Sequence, residues 1–380
     1  LDIVQALLPK KTRDMKIIKV IGSLDFGGIE KVFEITARYF PGDKQDILFL
    51  CLGEGGAAEK AIRALGYRVI VWGAKTKVPQ PRLILRLKAL FRRERPDVVH
   101  TTGAEANFHG MVAAWLCRIP VRVAEEIGMP KHSAAARYIF KMVYAMSTKV
   151  IAVAGLVKDF LLESGEVPLS KIVVIYNPVD VKAFTQIRPG DPDSLFRVVT
   201  VCRLDPIKNL GLLIRGVGAA GDMPMELWLV GDGPSRTSLE GLVRELGVGH
   251  KVTFWGYQSQ PATFLERASA FILPSFSEGI PLSVAEAMLT GTPCAVTRVG
   301  GAPEFILDGE NGWLLDPNDQ EGFNNLLKRI AGMPIRERLE VGENGKRTAM
   351  EKFQPDQYLK RIWNIYALAH YGKNKDITLP

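Results

Sequence analysis

Apolar runs of strand length alternate with segments of helical period along the chain, the pattern of parallel α/β layers. In the first half the strand-like runs stand at "KIIKVIG", "DILFLCL", "RVIVWG", "DVVHTT", "VRVAEE", "KVIAVA" and "IVVIYN", with helical segments such as 29–39 and 82–94 between them. The second half repeats the scheme with "FRVVTVCRL", "ELWLVGDG", "VTFWGY", "AFILPS", "PCAVTRV" and "GWLLDP". Two Rossmann-like sheets in tandem are therefore expected. Between them "NPVDVKAFTQIRPGDPDSLF" is rich in Pro, Gly and Asp and has no period, which predicts a linker. This sets a first domain over residues 15–180, a linker over 181–196 and a second domain over 197–359. The closing "PDQYLKRIWNIYALAH" is an amphipathic helix with no strand of its own, and is expected to return to the first domain from about residue 360.

A length of 380 residues at 47% hydrophobic content supplies a core for each of two domains. The apolar runs fall well short of the roughly 18 residues of a membrane span. The opening "LDIVQALLPKKTRD" lacks the order of a secretory signal. Met15 reads as the natural first residue, with residues 1–14 a leader or cloning remnant. Cys51, Cys117, Cys202 and Cys294 lie scattered in apolar company without CxxC spacing, so they read as reduced core thiols of a cytoplasmic protein, with metal binding as the alternative. Charge is uneven: residues 1–190 carry 29 Lys and Arg against 18 Asp and Glu, the remainder 20 against 23. A basic first half suits nucleic acid, an anionic membrane surface or simple solubility.

Ligands of open α/β sheets settle beyond the carboxyl ends of the strands. There, "FRVVTVC" runs into Arg203-Leu204-Asp205-Pro206-Ile207-Lys208, two cations five residues apart on a strand-to-helix turn. Such a pair can clamp a diphosphate, Arg203 as a planar fork and Lys208 as a mobile point charge; ordinary surface charge explains it equally well. In "VGDGPSR", Gly231 and Gly233 remove bulk where the backbone nears the crevice. The stretch "SFSEGIPLSVAEAMLTG" then places Glu278 and Glu286 eight positions apart around a turn, Gly279-Ile280-Pro281-Leu282, that opens a helix ended by Gly291. A helix start offers free amides to an anion. Carboxylates only accept hydrogen bonds, so a nucleotide sugar, with a phosphate for the amides and hydroxyls for the acids, would occupy both.

These residues, together with "GGAPEFILDGENGWLL" and an N-terminal "GGIEKV", resemble the retaining glycosyltransferases of family 4, and the likeness spans nearly the whole chain from Met15. The resemblance implies a GT-B fold, two Rossmann-like domains facing across a cleft. It implies that Arg203 and Lys208 neutralise the leaving diphosphate, that Glu278 lies by the donor sugar and Glu286 holds the ribose, and that the amides from Gly279 to Leu282 contact sugar and phosphate. It implies that the Gly27-Gly28 turn faces the donor diphosphate and the acceptor, and that Arg236 and the "FWGY" turn frame the base, with Tyr257 the candidate for stacking. Preorganised cations and amides of this kind make a metal unnecessary. The one Asp-x-Asp pattern, Asp191 and Asp193, falls in the expected linker.

The first domain departs from that family in one place. Where a histidine often ends the strand "VRVAEE", this chain has Glu126, leaving Glu126 and His109 as candidates for acceptor or sugar contact, with His100 a further alternative. The helix "RLILRLKALFRRER" turns Leu83, Ile84, Leu87, Leu90 and Phe91 to one face. Packing on its own sheet explains it, and its arginines also suggest a peripheral membrane contact for a lipid-linked acceptor. The expected function is transfer of a sugar from a nucleoside diphosphate donor, UDP-sugar favoured over GDP-sugar, to a lipid-linked or saccharide acceptor in surface polysaccharide, lipopolysaccharide or glycolipid assembly. The expected place is the cytoplasm or the inner face of its membrane. A nucleotide-sugar epimerase of the same fold and a non-catalytic nucleotide-sugar-binding module are the rivals. Nucleic acid ranks last, since no aromatic-basic interleaving accompanies the basic half.

Overall fold

The computed structural model describes residues 15–25, 27–130, 132–184 and 195–371. Residues 1–14 and the Asp191 and Asp193 pattern lie outside the described residues. The chain divides into two compact units, one running to Pro178 and resuming at Pro355, the other Val179–Gln354.

The first unit holds a seven-stranded sheet of β1 (Ile17–Ile21), β2 (Ile47–Cys51), β3 (Arg68–Val71), β4 (Val98–Thr102), β5 (Val121–Glu126), β6 (Lys149–Ala152) and β7 (Ile172–Val174), in the order β3-β2-β1-β4-β5-β6-β7. All its pairings are parallel. The second holds β8 (Phe196–Val201), β9 (Met225–Val230), β10 (Val252–Gly256), β11 (Ala270–Leu273), β12 (Cys294–Thr297) and β13 (Trp313–Leu315), in the order β10-β9-β8-β11-β12-β13, again parallel throughout. Every residue of β1, β2, β11 and β12 is buried, as strands covered on both faces by helices must be. Both units are Rossmann-like. The strand order reverses between β1 and β4 in one and between β8 and β11 in the other, and these are the switch points where such sheets bind ligands.

The linker expected over 181–196 is shorter in the structure. Val181–Phe184 form a helical turn with Val181 and Phe184 buried, and Phe196 already opens β8. Pro, Gly and Asp in the surrounding sequence hid two apolar anchors of the second unit, whose helical turn packs against the helix Leu282–Leu289.

The helix Pro355–Tyr371 belongs to the first unit. Trp363 meets Phe40 edge-on with ring centroids 5.3 Å apart, and Tyr366 hydrogen-bonds His100 Nδ1 at 2.7 Å. Beneath it lies an unusual core. Lys19 of β1 is buried over the Phe33 ring at 4.8 Å and pairs in register with His100 of β4. Glu125 of β5 receives Thr102 Oγ1 at 2.8 Å and lies 3.2 Å from His100 Nε2. Burial alone would raise the Glu125 carboxyl, but the His100 contact and the charge of Lys19 outweigh it and hold it below its usual range. Burial in turn lowers Lys19. The terminal helix thus seals charged groups as well as apolar ones. Trp363→Ala is expected to cost about 3–5 kcal/mol, read as an earlier transition in guanidinium unfolding; a wild-type midpoint would contradict the place of this helix in the first core.

Candidate active site

The second unit gathers most of the expected site at the carboxyl ends of β8, β9, β11 and β12. Beyond β8 the backbone continues against β9's extension: the Cys202 amide bonds the Val230 carbonyl at 3.1 Å and the Leu204 amide bonds that of Asp232 at 3.0 Å. No side chain fits in this approach. A Cβ on Gly231 would stand 1.8 Å from the Cys202 carbonyl oxygen, and one on Gly233 2.4 Å from that of Leu204. Asp205 then caps a short 3-10 turn, Pro206–Lys208, by accepting the Ile207 amide at 3.3 Å. Asn209 closes the turn in the left-handed region at φ 51° and anchors it by donating to the Pro317 carbonyl at 2.9 Å.

This turn aims Lys208 at the loop after β11. Its Nζ donates to Glu278 Oε1 at 2.6 Å, and the Phe276 amide bonds the Ile207 carbonyl at 2.7 Å. Glu278 Oε1 also accepts the buried Ser275 hydroxyl at 2.5 Å, and the Ser275 carbonyl accepts Thr297 Oγ1 of β12 at 2.6 Å. The Gly300-Gly301 step after β12 completes the frame. Gly300 has φ 56°, a Cβ there would lie 2.1 Å from the Glu278 carbonyl oxygen, and the Gly301 amide bonds the Gly279 carbonyl at 2.7 Å. Three strand ends are thereby tied around one carboxylate.

From Pro281 the chain enters the helix Leu282–Leu289. The Val284 amide turns back to the Pro281 carbonyl at 3.0 Å, and the amides ahead of it are the open donors of a helix start. Ile280, Leu282 and Glu286 are buried. Arg203, by contrast, has a side chain 63% exposed, 3.8 Å from Asp205. Arg236 is braced between Asp232 at 3.1 Å and Glu240 at 2.9 Å. Tyr257 is half exposed and follows Gly256, whose carbonyl accepts the Gly231 amide at 2.8 Å. Arg203, Lys208, Gly231, Gly233, Glu278, Gly279, Ile280, Pro281, Leu282 and Glu286 thus belong to one end of this sheet and the helix it leads into. Sequence reasoning passed over Ser275, Thr297, Asp205 and Asn209. The last two carry a legible signal, an Asp-Pro turn start and an Asn in αL; the first two carry none.

The first-unit candidates fare differently. Gly27 precedes the helix Gly28–Tyr39 with extended backbone that any residue adopts, and both glycines are exposed. A Cβ on Gly27 would meet only the flexible end of Glu30, at 2.4 Å. The tighter approach here was not foreseen: Gly53 after β2 packs on Gly22 after β1, where a Cβ would stand 2.6 Å from a carbonyl oxygen. His109 is fully buried and both ring nitrogens are engaged. Nε2 accepts the Gln80 amide at 3.1 Å, which leaves Nδ1 to donate to the Glu105 carbonyl at 2.7 Å. Burial lowers its pKa, so it stays neutral and pins the start of the helix Pro81–Glu94. This is a structural occupation, not a surface for a sugar. His100 is likewise sealed in the core described above.

Glu126 ends β5 with its carboxyl turned inward. Oε1 accepts from Asn107 Nδ2 and from the Tyr144 hydroxyl, each at 2.8 Å, and the residue is 4% exposed. Burial, with the charges of Glu166 and Glu105 nearby, pushes its pKa up to about 7 despite those two bonds. Next to it, His132 Nδ1 pairs with Glu166 Oε2 at 2.9 Å while its ring stacks on Phe140 at 4.2 Å.

Two parallel Rossmann-like units, each with its switch point at the carboxyl ends, are the two halves of a GT-B fold. Solved structures share this fold. That of Anabaena HepE in complex with UDP-glucose matches with a TM-score of 0.79 at 20% identity, over 92% of this chain and 98% of that one. The apo form of the lipopolysaccharide outer core galactosyltransferase WaaB matches at 0.73 and 22%, over 94% of this chain and 100% of that one. The model described as Glycosyltransferase Family 4 matches residues 26–183, and that described as Glycosyl transferases group 1 matches residues 184–348. The chain belongs to this glycosyltransferase family and is a transferase. Among its relatives, UDP-Gal:alpha-D-GlcNAc-diphosphoundecaprenol alpha-1,3-galactosyltransferase of Escherichia coli is 25% identical over 328 residues, 80% of this chain and 84% of that enzyme. Lipopolysaccharide core biosynthesis glycosyltransferase LpsE of Rhizobium meliloti is 29% identical over 290 residues, 74% of this chain and 79% of that enzyme.

Two outcomes follow from the geometry. Gly300→Ala is expected to lower Tm by clearly more than Gly309→Ala, because both need positive φ but only Gly300 faces a backbone oxygen where Gly309 faces open space; equal losses would remove the close packing argument. For Glu126, an ordinary value of 4.5 against about 7 in the fold means that the folded chain holds an extra proton between those values. Its contribution to stability is present below 4.5 and lost as pH rises to 7. Glu126→Gln keeps the acceptor and cannot ionise, so its unfolding free energy relative to wild type should rise from acidic to mildly basic pH by on the order of 3 kcal/mol, read from denaturant unfolding at each pH. An advantage independent of pH would show that Glu126 is not held protonated.

Proposed function

We propose that the protein transfers a sugar from a nucleoside diphosphate donor to an acceptor hydroxyl with retention at the anomeric carbon. The observation that carries this reading is the 2.6 Å Lys208–Glu278 pair, framed by three strand ends and set on the same strand-to-helix turn as the exposed Arg203. In the transfer, the bond from the anomeric carbon to the diphosphate breaks with its electron pair leaving on the diphosphate, the acceptor oxygen bonds the anomeric carbon in its place, and the acceptor's hydroxyl proton passes to the departing diphosphate. Lys208 and Arg203 meet the charge that develops there, and the amides at the start of the helix Leu282–Leu289 add to them. Because side chains and amides answer the leaving charge, the reading requires no metal. Glu278 and Glu286 accept from hydroxyls, the former at the sugar and the latter at the ribose. Retention rests on the family likeness.

A UDP-sugar is favoured over a GDP-sugar, supported by HepE having been solved with UDP-glucose and by the Escherichia coli relative being named for UDP-Gal. A lipid-linked or saccharide acceptor in surface polysaccharide, lipopolysaccharide or glycolipid assembly is supported by the names of that relative and of LpsE. Among the described residues no helix is long and apolar enough to cross a membrane. The reading has a lipid-linked acceptor met at the cytoplasmic face through the protein surface.

A nucleotide at 100 times its dissociation constant stabilises by about 2.7 kcal/mol. Thermal shifts with UDP, GDP and ADP should therefore single out one base, and no shift with any of them would sink the donor reading. Arg203→Ala and Lys208→Ala should each lower turnover by on the order of 100-fold or more while leaving most of the Tm; parallel loss of fold and activity would return both residues to a structural role.

A further inference from the structure

The helix Ala134–Met146 in the first unit buries Phe140, Val143 and Tyr144 and leaves its opposite side uncovered. At about 100° per residue, Ala135, Tyr138, Met142 and Ala145 form the middle of the outward arc. Ile139 borders it on one side, with Arg137 and Lys141 on the other. Tyr138 is 68% exposed, Met142 49% and Ile139 40%. Single exposed apolar residues are ordinary, but three large ones within two turns of one helix are the kind of patch that marks an interaction surface. Its charge says which kind. From Ile127 to Lys158 the chain carries Lys131, Arg137, Lys141, Lys149 and Lys158 and no Asp or Glu. Arg137 and Lys141 are exposed, and among the described residues neither is ion-paired.

The helix that the arginine pattern favoured for membrane contact is less suited. In Pro81–Glu94, Arg86 lies over the Trp72 ring at 4.3 Å and Arg93 pairs with Glu94 at 2.9 Å. Leu85 is its one strongly exposed large apolar residue among those described.

We propose that the outer face of Ala134–Met146 is the surface by which the protein seats on an anionic lipid bilayer. Tyr138, Met142 and Ile139 enter the headgroup boundary, where an aromatic ring with a polar tip is favoured. Arg137 and Lys141 stay in the plane of the lipid phosphates. The inference deepens the lipid-linked acceptor reading and rests on it for its biological purpose. The surface chemistry is testable without the acceptor.

The full chain is sedimented with phosphatidylcholine vesicles and with vesicles in which about a third of the lipid is phosphatidylglycerol. Wild type should partition to the anionic vesicles, less so at high salt. The triple variant Tyr138→Ser, Ile139→Ser, Met142→Ser, and separately Arg137→Glu with Lys141→Glu, should each reduce that partitioning by on the order of tenfold or more. Arg82→Glu with Arg92→Glu on the other basic helix should change it little. All these side chains are exposed, and a wild-type Tm and far-UV circular dichroism spectrum check the fold of each variant. Sedimentation unchanged in the triple variant, or equal binding to neutral vesicles, overturns the proposal. A wild type that responds to a nucleoside diphosphate but ignores anionic vesicles overturns the surface and spares the donor site. One that binds the vesicles but no nucleotide supports the surface and removes the donor reading.

Discussion

The second unit depends on backbone meeting backbone at distances that exclude a methyl group. At Gly231, Gly233 and Gly300 the neighbours of a would-be Cβ are carbonyl oxygens of other loops, which cannot rotate away as a side chain can. Because these loops touch directly, the residues they carry are positioned by main-chain hydrogen bonds and by short polar side chains of the same or the neighbouring loop. The 3-10 turn bearing Lys208 is held by Asp205, Asn209 and the Phe276 amide, and the loop bearing Glu278 by Ser275, Thr297 and Gly301. Such a frame suits chemistry in which charge must be met by groups already in place, since little reorganisation is left for the reaction itself.

The two units handle buried charge in contrasting ways. In the second, Lys208 and Glu278 keep about a fifth and an eighth of their side-chain surface in contact with solvent, so the pair stays within reach of a ligand. In the first, Lys19, Glu125 and His100 are shut in beneath the terminal helix, and Glu126 with Tyr144 and Asn107 forms a second closed cluster. Those groups have no route to a ligand without opening the layer. They fix how strands and helices register, because any slip would strand a polar or ionised group among apolar neighbours.

Much of this was legible in the sequence because parallel strands buried on both faces are written as apolar runs, and every run expected became a strand. The site in the second unit was legible for a related reason: its residues sit on consecutive strand-end loops, so spacing along the chain mirrors adjacency in space. The first-unit candidates were not. His109 follows a strand end in sequence, yet its helix turns the imidazole toward Gln80. Glu126 stands at the right end of β5, yet Asn107 and Tyr144 draw its carboxyl inward. Lys19 reads as a surface charge interrupting an apolar run, and only the arrival of a partner from β5 and a cover from residues 355–371 makes it a core residue. Facing is a tertiary property, and a one-dimensional pattern carries it only when the neighbours are local.

The return of the helix Pro355–Tyr371 to the first unit also sets an order of events during synthesis. Chains fold from the N-terminus as they leave the ribosome, domain by domain. Here the unit that emerges first lacks the segment that covers Lys19, His100 and Phe40 until Val179–Gln354 has been made in full. The second unit is contiguous and can close on its own residues, so the half begun first is the half completed last. A nascent first unit waits with a wet, charged seam along its sheet, and arrest of translation before Pro355 would leave an open edge of the core for chaperones to hold.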